Sequence, residues 1–308
     1  MNGLHIRPAT MEDTGAISAL FRRRINVWQR FDAEGRVDEL PYEQLTIYER
    51  WLHGGAWMSL ETAAIFLSHL LRVGGVTLVA EVDGAVAGYA EAYPGDEPPP
   101  YGKHLHIAHL ITQAETIKDA LLQHLLGMAK PRLTVALSTY DTEAAAFYQR
   151  YGMQPIANLR QYTLSARAGQ SFYQATEHLP ADYAQIAGWH MLLGRLESAR
   201  AHWELLWPRL WEAFPQITAQ KTHRLHFSAA GQEAFVCYRQ QLYAPRSVDV
   251  YCWSPRPPSK QLLVAISDWA HRENYRSLTL VIPETMTKWL DQELEENPQR
   301  QEIYAVEV

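Results

Sequence analysis

Apolar and polar positions along residues 1–168 alternate in a way that predicts strands separated by helices. Residues 4–7 are predicted as a strand, and residues 9–28 follow as a helix in which Thr10 and Asp13 suit a capping box. Further helices are predicted at Tyr42–Leu52 and at Ser59–Leu71. A hairpin over residues 76–94 turns at Asp83-Gly84. A strand at 104–111 then runs into a helix over 113–129, followed by a strand at 132–139, a helix at 141–153 and a strand at 155–164.

The second half of the chain shows much the same order of elements. A hairpin is predicted over residues 225–243, a strand at 247–255, a helix at 259–274, a strand at 277–284, a helix at 285–296 and a final strand at 302–308. Matching positions lie 141 to 147 residues apart, as in the pairs Gly84 and Gly231, Leu121 and Leu262, and Leu133 and Leu278. So steady an offset indicates a tandem duplication. The predicted domains are residues 1–168 and 169–308.

Four tryptophans lie at helical spacings between the two halves. The stretch over residues 181–214 carries Trp189, Trp203, Trp207 and Trp211, which favours a buried helical face over a ligand-binding box. Pro208 is expected to kink or split this helix. Residues 165–183 are predicted to hold the linker and the first strand of the second copy.

Composition sets broad limits on the class of protein. The chain has 308 residues, 47% hydrophobic and 20% charged, with a formal charge of −6, so packed cores are expected and a nucleic-acid footprint is not visible. The N-terminus lacks an apolar segment and no stretch has the length of a membrane span, so we expect a cytoplasmic protein that binds neither nucleic acid nor membrane. Cys237 and Cys252 are too few for a disulfide framework and are expected as buried thiols on neighbouring strands.

A short motif follows the fifth predicted strand: Asp141 stands at the start of a helix that continues with Phe147-Tyr148 and ends at Gly152-Met153. This motif and the order of elements resemble the GNAT superfamily of acetyl-CoA-dependent N-acetyltransferases. The resemblance covers the whole first half. It implies an α/β (α+β) fold of two tandem GNAT-like domains, each with a mixed, largely antiparallel central sheet flanked by helices.

The resemblance also implies an acetyl-CoA site where the fourth strand enters its helix, with a loop that binds the pyrophosphate through backbone N–H groups. The cofactor-binding candidates on this chain are Ile111, Gln113, Ala114, Thr116, Ile117, Lys118 and Asp141. The glycines and the arginine of the family loop are missing. Thr116 and Lys118 can compensate for them, whereas Glu115 would repel a pyrophosphate, so either a weakened site or an abandoned one is expected.

In the second copy, Pro257 and Pro258 stand where donating N–H groups would be needed, and proline has none. Mycothiol synthase is an example of a tandem GNAT protein with one active half. We therefore expect any activity to lie in the first half.

Amine acetylation needs a proton donor for the departing thiolate and a base for the amine. Family position gives the donor role to Tyr148, and a partly buried aromatic residue is the alternative. The fourth strand carries no carboxylate, so His104 and His106, which share one strand face, are the candidate bases. Ordinary half-buried histidines and, less favoured, a metal site with His109 are the alternatives; no metal is predicted.

Glu91 is a further candidate, either as a base or as a ligand of the acceptor amine, although an exposed strand residue is slightly favoured. The resemblance also implies an acceptor pocket between the early helices and the central strands. Its candidate lining is aromatic, with plain core as the alternative, and comprises Trp28, Phe31, Trp51, Trp57 and Tyr89.

Two classes of function follow from these observations. The first is an acyl-CoA-dependent N-acetyltransferase that acts on a small amine by direct transfer, as a monomer or homodimer. The alternative is a non-catalytic binding or sensing protein that kept the scaffold and lost the cofactor, because fold alone says little about activity. A third, weaker option is that the two halves form one shared ligand cleft, in which case neither half folds stably alone.

Overall fold

The computed structural model describes residues 3–31, 36–169, 172–257, 259–289 and 294–308, without the side chains of residues 31, 288 and 289. The strands are β1 Leu4–Pro8, β2 Gln29–Phe31, β3 Val37–Glu39, β4 Val76–Val82, β5 Ala85–Asp96, β6 Lys103–Thr112, β7 Arg132–Ser138, β8 Gln154–Ser165, β9 Tyr173–Glu177, β10 His190–Leu193, β11 Thr222–Ala229, β12 Gln232–Gln240, β13 Ser247–Ser254, β14 Ser277–Pro283 and β15 Glu295–Glu307.

The helices are α1 Thr14–Arg22, α2 Ile47–Leu52, α3 Leu60–Val73, α4 Glu115–Met128, α5 Thr142–Gln149, α6 Ala199–Leu206, α7 Pro215–Thr218 and α8 Lys260–Arg272. Short 3₁₀ turns cover Met11–Asp13, Tyr42–Gln44, Gly55–Met58, Tyr183–Gln185 and Glu284–Trp289. The class predicted from the sequence, a mixed and mostly antiparallel sheet flanked by helices, is confirmed.

The chain divides into two compact units that do not follow the two halves of the sequence. Unit 1 comprises residues 1–93, 107–128 and 210–219, and unit 2 comprises residues 94–106, 129–209 and 220–308. Strand β6 therefore changes unit after His106.

In unit 1, β4 pairs antiparallel with both β1 and β5, with Ile6 opposite Ala80 and Val79 opposite Tyr89. The predicted turn lies between β4 and β5, where Asp83 and Gly84 both have positive φ. Helix α3 begins after Ser59, whose Oγ accepts the Thr62 N–H, and it ends at the left-handed Gly74. These local signals placed the predicted elements correctly.

Two helices of unit 1 differ from their predictions. The helix predicted over residues 9–28 is a 3₁₀ turn at Met11–Asp13 followed by α1, which ends at Arg22. The segment Tyr42–Leu52 forms a 3₁₀ turn and then α2, because Thr46 caps a new helix in which its Oγ1 accepts the Glu49 N–H at 3.2 Å. The Glu49 carboxylate accepts the Thr46 N–H at 2.7 Å in return, which completes a capping box.

In unit 2 the sheet runs in the order β7, β15, β8, β14, β13, β12, β11 and β9. The last strand of each sequence half is exchanged: β15 lies between β7 and β8, with Tyr304 opposite Val135, while β8 lies between β15 and β14, with Leu280 opposite Tyr162. Each half thus completes the sheet of the other.

Strands β13 and β14 run parallel, but only three residue pairs join them, the last being Asp249 and Thr279. Strand β10 pairs antiparallel with β13, and Gly194, directly after β10, donates its N–H to the Val281 oxygen of β14 at 2.8 Å. Strand β10 therefore fills the gap between β13 and β14. It lies in the stretch predicted to be helical, so that prediction was wrong for residues 190–193.

The tryptophans predicted to share one helix are distributed more widely. Helix α6 ends before Pro208 and buries Trp203 and Trp207 completely, against Trp253 and Phe235. Trp189 precedes β10 and stacks on Phe235, with ring centroids 5.2 Å apart. The prediction of buried core residues is confirmed for Trp203 and Trp207.

Two other predictions about the second half can be compared with the structure. Cys237 and Cys252 are buried free thiols on neighbouring strands, as predicted. The helix predicted over residues 285–296 is instead the 3₁₀ turn Glu284–Trp289, residues 290–293 lie outside the described part, and β15 already begins at Glu295.

Candidate functional site

Tyr148 lies on α5 of unit 2, the helix that follows β7. Asp141 caps this helix, since its Oδ1 accepts the Ala144 N–H at 2.9 Å. The Tyr148 side chain is buried, at 5% exposure, and its ring meets that of Phe147 edge-on with centroids 5.1 Å apart. Burial and the nearby charges of Glu197 and Asp141 raise the pKa of Tyr148. The phenol therefore stays protonated at neutral pH, as a proton donor must.

His106, on β6, is bonded at both ring nitrogens. Its Nδ1 lies 2.9 Å from Thr134 Oγ1 on β7, and its Nε2 lies 2.7 Å from Glu197 Oε2. Burial and the charge of Arg195 lower the pKa of His106 to about 3, although Glu97 acts in the opposite direction. The imidazole is therefore neutral at physiological pH. Thr134, His106 and Glu197 form a continuous polar chain.

Glu197 reaches His106 from the loop between β10 and α6. Two backbone N–H groups of this loop, those of Leu196 and Glu197, donate to His202 Nε2 at 2.9 and 3.0 Å. Because His202 is buried next to Arg195, its pKa is lowered to about 3, so its Nε2 keeps the lone pair that accepts both bonds. The loop is thereby held against α6.

A buried ion pair holds the same loop from the other side. Arg195 Nη2 bonds Glu97 Oε2, while Glu97 Oε1 accepts the Ala199 N–H at 3.0 Å and Arg195 Nη1 donates to the Glu197 carbonyl oxygen at 3.3 Å. Burial is the largest single effect and raises the pKa of Glu97, but the charges of Arg195 and His104 and the hydrogen bonds from Arg195 and the Ala199 N–H together hold that pKa below its usual value. Arg195 also lies over the Tyr101 ring, 3.9 Å from its centroid.

His104 lies beside this ion pair, with its Nε2 3.6 Å from Glu97 Oε1 and its Nδ1 2.9 Å from the Gly102 carbonyl oxygen. Burial lowers its pKa to about 4. Gly95 packs directly on the ring: a Cβ at that position would come within 2.5 Å of His104 Nε2. Because Nδ1 donates its proton to the Gly102 oxygen, the lone pair of the neutral ring is on Nε2, and Gly95 covers that nitrogen.

The predicted pyrophosphate loop lies at the start of α4 in unit 1. Gln113, Ala114, Glu115 and Thr116 are exposed, whereas Ile111 and Ile117 are buried at 6% and 7% exposure. The Gln113 N–H donates to the Ala87 oxygen, and the first N–H groups bonded within the helix are those of Ile117 and Lys118, which both donate to the Ala114 oxygen, at 3.1 and 3.2 Å. The N–H groups of Ala114, Glu115 and Thr116 thus precede the helical hydrogen bonds and belong to exposed residues. Lys118 Nζ lies 3.7 Å from Glu115 Oε1, which reduces the repulsion expected from Glu115.

Glu91, also in unit 1, is 2% exposed, so the exposed alternative favoured for it is wrong. Its carboxylate accepts hydrogen bonds from Tyr93 at 2.7 Å and from Tyr89 at 3.2 Å. Trp57 packs against Tyr89 with ring centroids 5.2 Å apart and is also buried.

Two of the other predicted lining residues, Trp28 and Trp51, are half-buried in unit 1. Trp28 meets the rings of Tyr42 and His53, and Trp51 meets that of Trp211. The Phe31 side chain lies outside the described part.

By sequence, no family model matches the chain, and no curated protein matches it. Solved structures do match it in fold. A GCN5-related N-acetyltransferase from Kribbella flavida is 13% identical with a TM-score of 0.55, and the match covers 98% of this chain and 71% of that chain. A conserved protein from Enterococcus faecalis, described as a probable N-acyltransferase, is 13% identical with a TM-score of 0.54 over 99% of this chain and 73% of that one. The Eis1 protein of Mycobacterium abscessus is 15% identical with a TM-score of 0.53 over 98% and 72%.

This chain has a tandem GNAT fold. The predicted resemblance is thereby confirmed at the level of fold. No helix in the described part of the chain has the length and apolar character needed to cross a bilayer. Within the described ranges, no three His, Cys, Asp or Glu side chains are grouped so that they could hold a metal ion.

Helix α8 of the second half corresponds to α4, whose start carries the candidate pyrophosphate loop. At the start of α8, side chains of the protein itself bond backbone N–H groups. At the start of α8, Ser259 Oγ accepts the Leu262 N–H, and the Ser259 N–H donates to Gln232 Oε1 at 3.2 Å. Gln232 Nε2 in turn donates to the Pro257 oxygen at 2.9 Å. Pro258 lies outside the described residues. The N–H groups of Ser259 and Leu262 at the start of α8 are therefore already bonded within the chain.

Sequence reasoning missed the group around Glu197, which comprises Glu97, Thr134, Arg195, Glu197 and His202. Glu197 and His106 are 91 residues apart, and Arg195 and Glu97 are 98 apart. No local spacing rule connects residues at such separations. Gly194, just before Arg195, was the one available signal, since it marks a sharp change of chain direction at φ +83°.

Proposed function

We propose that this chain is an acyl-CoA-dependent N-acyltransferase that acts on a small amine, with its activity in the first half. The observation that carries the proposal is Tyr148: a buried phenol on the helix after β7, protonated at neutral pH, whose pKa is raised mainly by burial. The Tyr148 hydroxyl carries a proton at neutral pH and can pass it to a departing thiolate.

For the donor, we propose that the N–H groups of Ala114, Glu115 and Thr116 and the ammonium of Lys118 hold the pyrophosphate of acyl-CoA. These groups suit an anion because they are exposed at the positive end of a helix of 14 residues. The ion pair between Lys118 and Glu115 takes up part of the lysine charge, so moderate affinity is expected. Bound acyl-CoA would supply the activated thioester.

The second half supports placing the activity in the first. Its helix start is capped by Gln232 and Ser259, and β10 fills the gap between β13 and β14. The segment after β14 is the 3₁₀ turn Glu284–Trp289, which contains no tyrosine.

Calorimetric titration of the full chain with acetyl-CoA tests the donor. We expect one site per chain, weakened roughly fivefold in Lys118→Glu because the helix terminus then carries a further repulsive charge. Lys260→Glu, at the start of α8, is the matched control and should leave the affinity unchanged.

Transfer is tested with acetyl-CoA and a panel of small primary amines by following release of the free thiol. Tyr148→Phe should lower kcat about 100-fold with unchanged affinity for acetyl-CoA, because it removes the proton donor and keeps the ring. If neither heat nor thermal stabilisation is observed at millimolar acetyl-CoA, the proposal fails, and the non-catalytic binding alternative takes its place.

A further inference from the structure

We infer that Glu197, supplied by the second half of the chain, is the base that takes the proton from the acceptor amine, and that His106 positions it. The inference rests on the proposed function. It gives the second half a catalytic contribution in addition to completing the sheet.

The hydrogen bonds of His106 show why the histidine is not the base. A carboxylate only accepts hydrogen bonds, so the contact of 2.7 Å with Glu197 requires a proton on Nε2. The ring is neutral, so Nδ1 holds its single lone pair, and that lone pair accepts the Thr134 hydroxyl at 2.9 Å. His106 is 1% exposed. It can accept a proton only by giving up the Thr134 bond inside the protein.

Glu197 has the properties that His106 lacks. Its side chain is 33% exposed, compared with 2% for that of His106, so solvent-borne amines can reach it. Its charge also contributes to the raised pKa of Tyr148, after burial.

The loop that carries Glu197 is fixed by interactions that a surface loop does not need. His202 accepts two successive N–H groups, and Glu97 accepts the Ala199 N–H while paired with Arg195, both charged groups being buried at 4% and 3% exposure. Burying such a pair is expensive unless its geometry is well satisfied. Here it holds residues 195–199 so that Glu197 meets His106.

The proton and electron movements balance in the following way. An aliphatic amine is mostly protonated at neutral pH, so Glu197 takes one proton from the ammonium, breaking an N–H bond and forming an O–H bond. The freed nitrogen lone pair forms the C–N bond to the thioester carbon, and the C–S bond breaks with its electrons on sulfur. Tyr148 protonates that sulfur, and the amide nitrogen loses its second proton to solvent. Exchange with solvent restores Glu197 and Tyr148, with a net release of one proton.

Transfer kinetics with acetyl-CoA and the same amine panel test the inference on the full chain. Glu197→Gln should lower kcat at least 100-fold and leave acetyl-CoA affinity and the melting temperature close to those of the wild type. The matched control Glu233→Gln changes an exposed carboxylate of the second half and should retain full activity.

Two variants of His106 separate positioning from base catalysis. His106→Gln keeps an N–H donor for Glu197 and should retain kcat within tenfold, whereas His106→Ala should lose most of it. If His106→Gln is as inactive as Glu197→Gln, the histidine is the base and the inference is overturned.

The inference is likewise overturned if wild type and Glu197→Gln transfer acyl groups at similar rates. That outcome leaves the proposed function intact. If the wild type transfers no acyl group to any amine, the proposed function fails, and the base role fails with it.

Discussion

Three histidines of unit 2 are buried as neutral rings, with pKa values lowered to about 4 for His104 and about 3 for His106 and His202, in each case mainly by burial. The usual histidine pKa is about 6.5. The folded state therefore binds fewer protons than the unfolded state between these values. Their stabilising contribution is fully present above about pH 6.5 and is lost as the pH falls toward the folded pKa values.

We accordingly expect the free energy of unfolding to fall between pH 6.5 and 5. Three protons taken up on unfolding correspond to a slope approaching roughly 4 kcal/mol per pH unit near pH 5. Urea unfolding at closely spaced pH values measures this slope. His202→Gln, which keeps an acceptor for the two N–H groups, should reduce the slope by about a third; an unchanged slope would show that His202 is charged in the folded state.

At the same scale, the sequence predicted residue character better than residue partners. Buried thiols at Cys237 and Cys252 followed from their strand positions and apolar neighbours. The partners of His106 did not, because Thr134 and Glu197 approach it from elements remote in sequence. For Glu91 even the predicted exposure was wrong. Strand alternation did not reveal that the hydroxyls of Tyr89 and Tyr93 would donate to its carboxylate in the core.

At the scale of elements, the short segment from β10 to α6 has two tasks. Strand β10 fills the gap between β13 and β14, and the following loop carries Glu197 to His106. Gly194 joins the two parts. A Cβ on Gly194 would lie 2.5 Å from Tyr251 Cδ1 and 2.6 Å from the Val250 oxygen, and its φ of +83° disfavours any L side chain.

Gly194→Ala should therefore destabilise the protein by about 2–4 kcal/mol and lower kcat by displacing Glu197. Gly188→Ala is the matched control, since Gly188 has φ +79° and open space around it. It should cost only about 1 kcal/mol of backbone strain and leave kcat unchanged. Thermal unfolding of both variants, with transfer kinetics, measures the difference; equal losses would mean that the contacts with Tyr251 and Val250 relax freely.

Most other elements could be predicted because their signals are local. Ser59 and Gly74 mark the ends of α3, and Asp83-Gly84 marks the turn between β4 and β5. Strand β10 could not be predicted, because its four residues form a strand only by pairing with β13.

At the scale of the whole molecule, the exchange of β8 and β15 bears on how the chain folds. Without residues 169–308, β7 loses β15, and β8 loses both of its neighbours. Without residues 1–168, β14 loses β8, and β15 has no partner strand. The division into domains 1–168 and 169–308 stays a prediction about sequence repeats, and the hydrogen bonds of the sheet cross that boundary.

We expect neither 1–168 nor 169–308 to unfold cooperatively when produced alone, because each would expose two or more unpaired strand edges. The two fragments produced together should associate and recover a cooperative transition. Circular dichroism on heating, with the intact chain as the control, measures this. A cooperative transition in either fragment alone would show that its exchanged strand is dispensable.

The sequence by itself determined the mixed fold class, the repeated order of elements and most strand and helix positions, since each depends on side-chain periodicity or capping within a few residues. The tertiary structure alone decided that β8 and β15, the last strands of the two halves, are exchanged. It also decided that β10 fills the gap between β13 and β14 and that Glu197 bonds His106. Those features depend on which backbone edges and buried polar groups find partners in the folded chain, and such pairings join residues about a hundred positions apart.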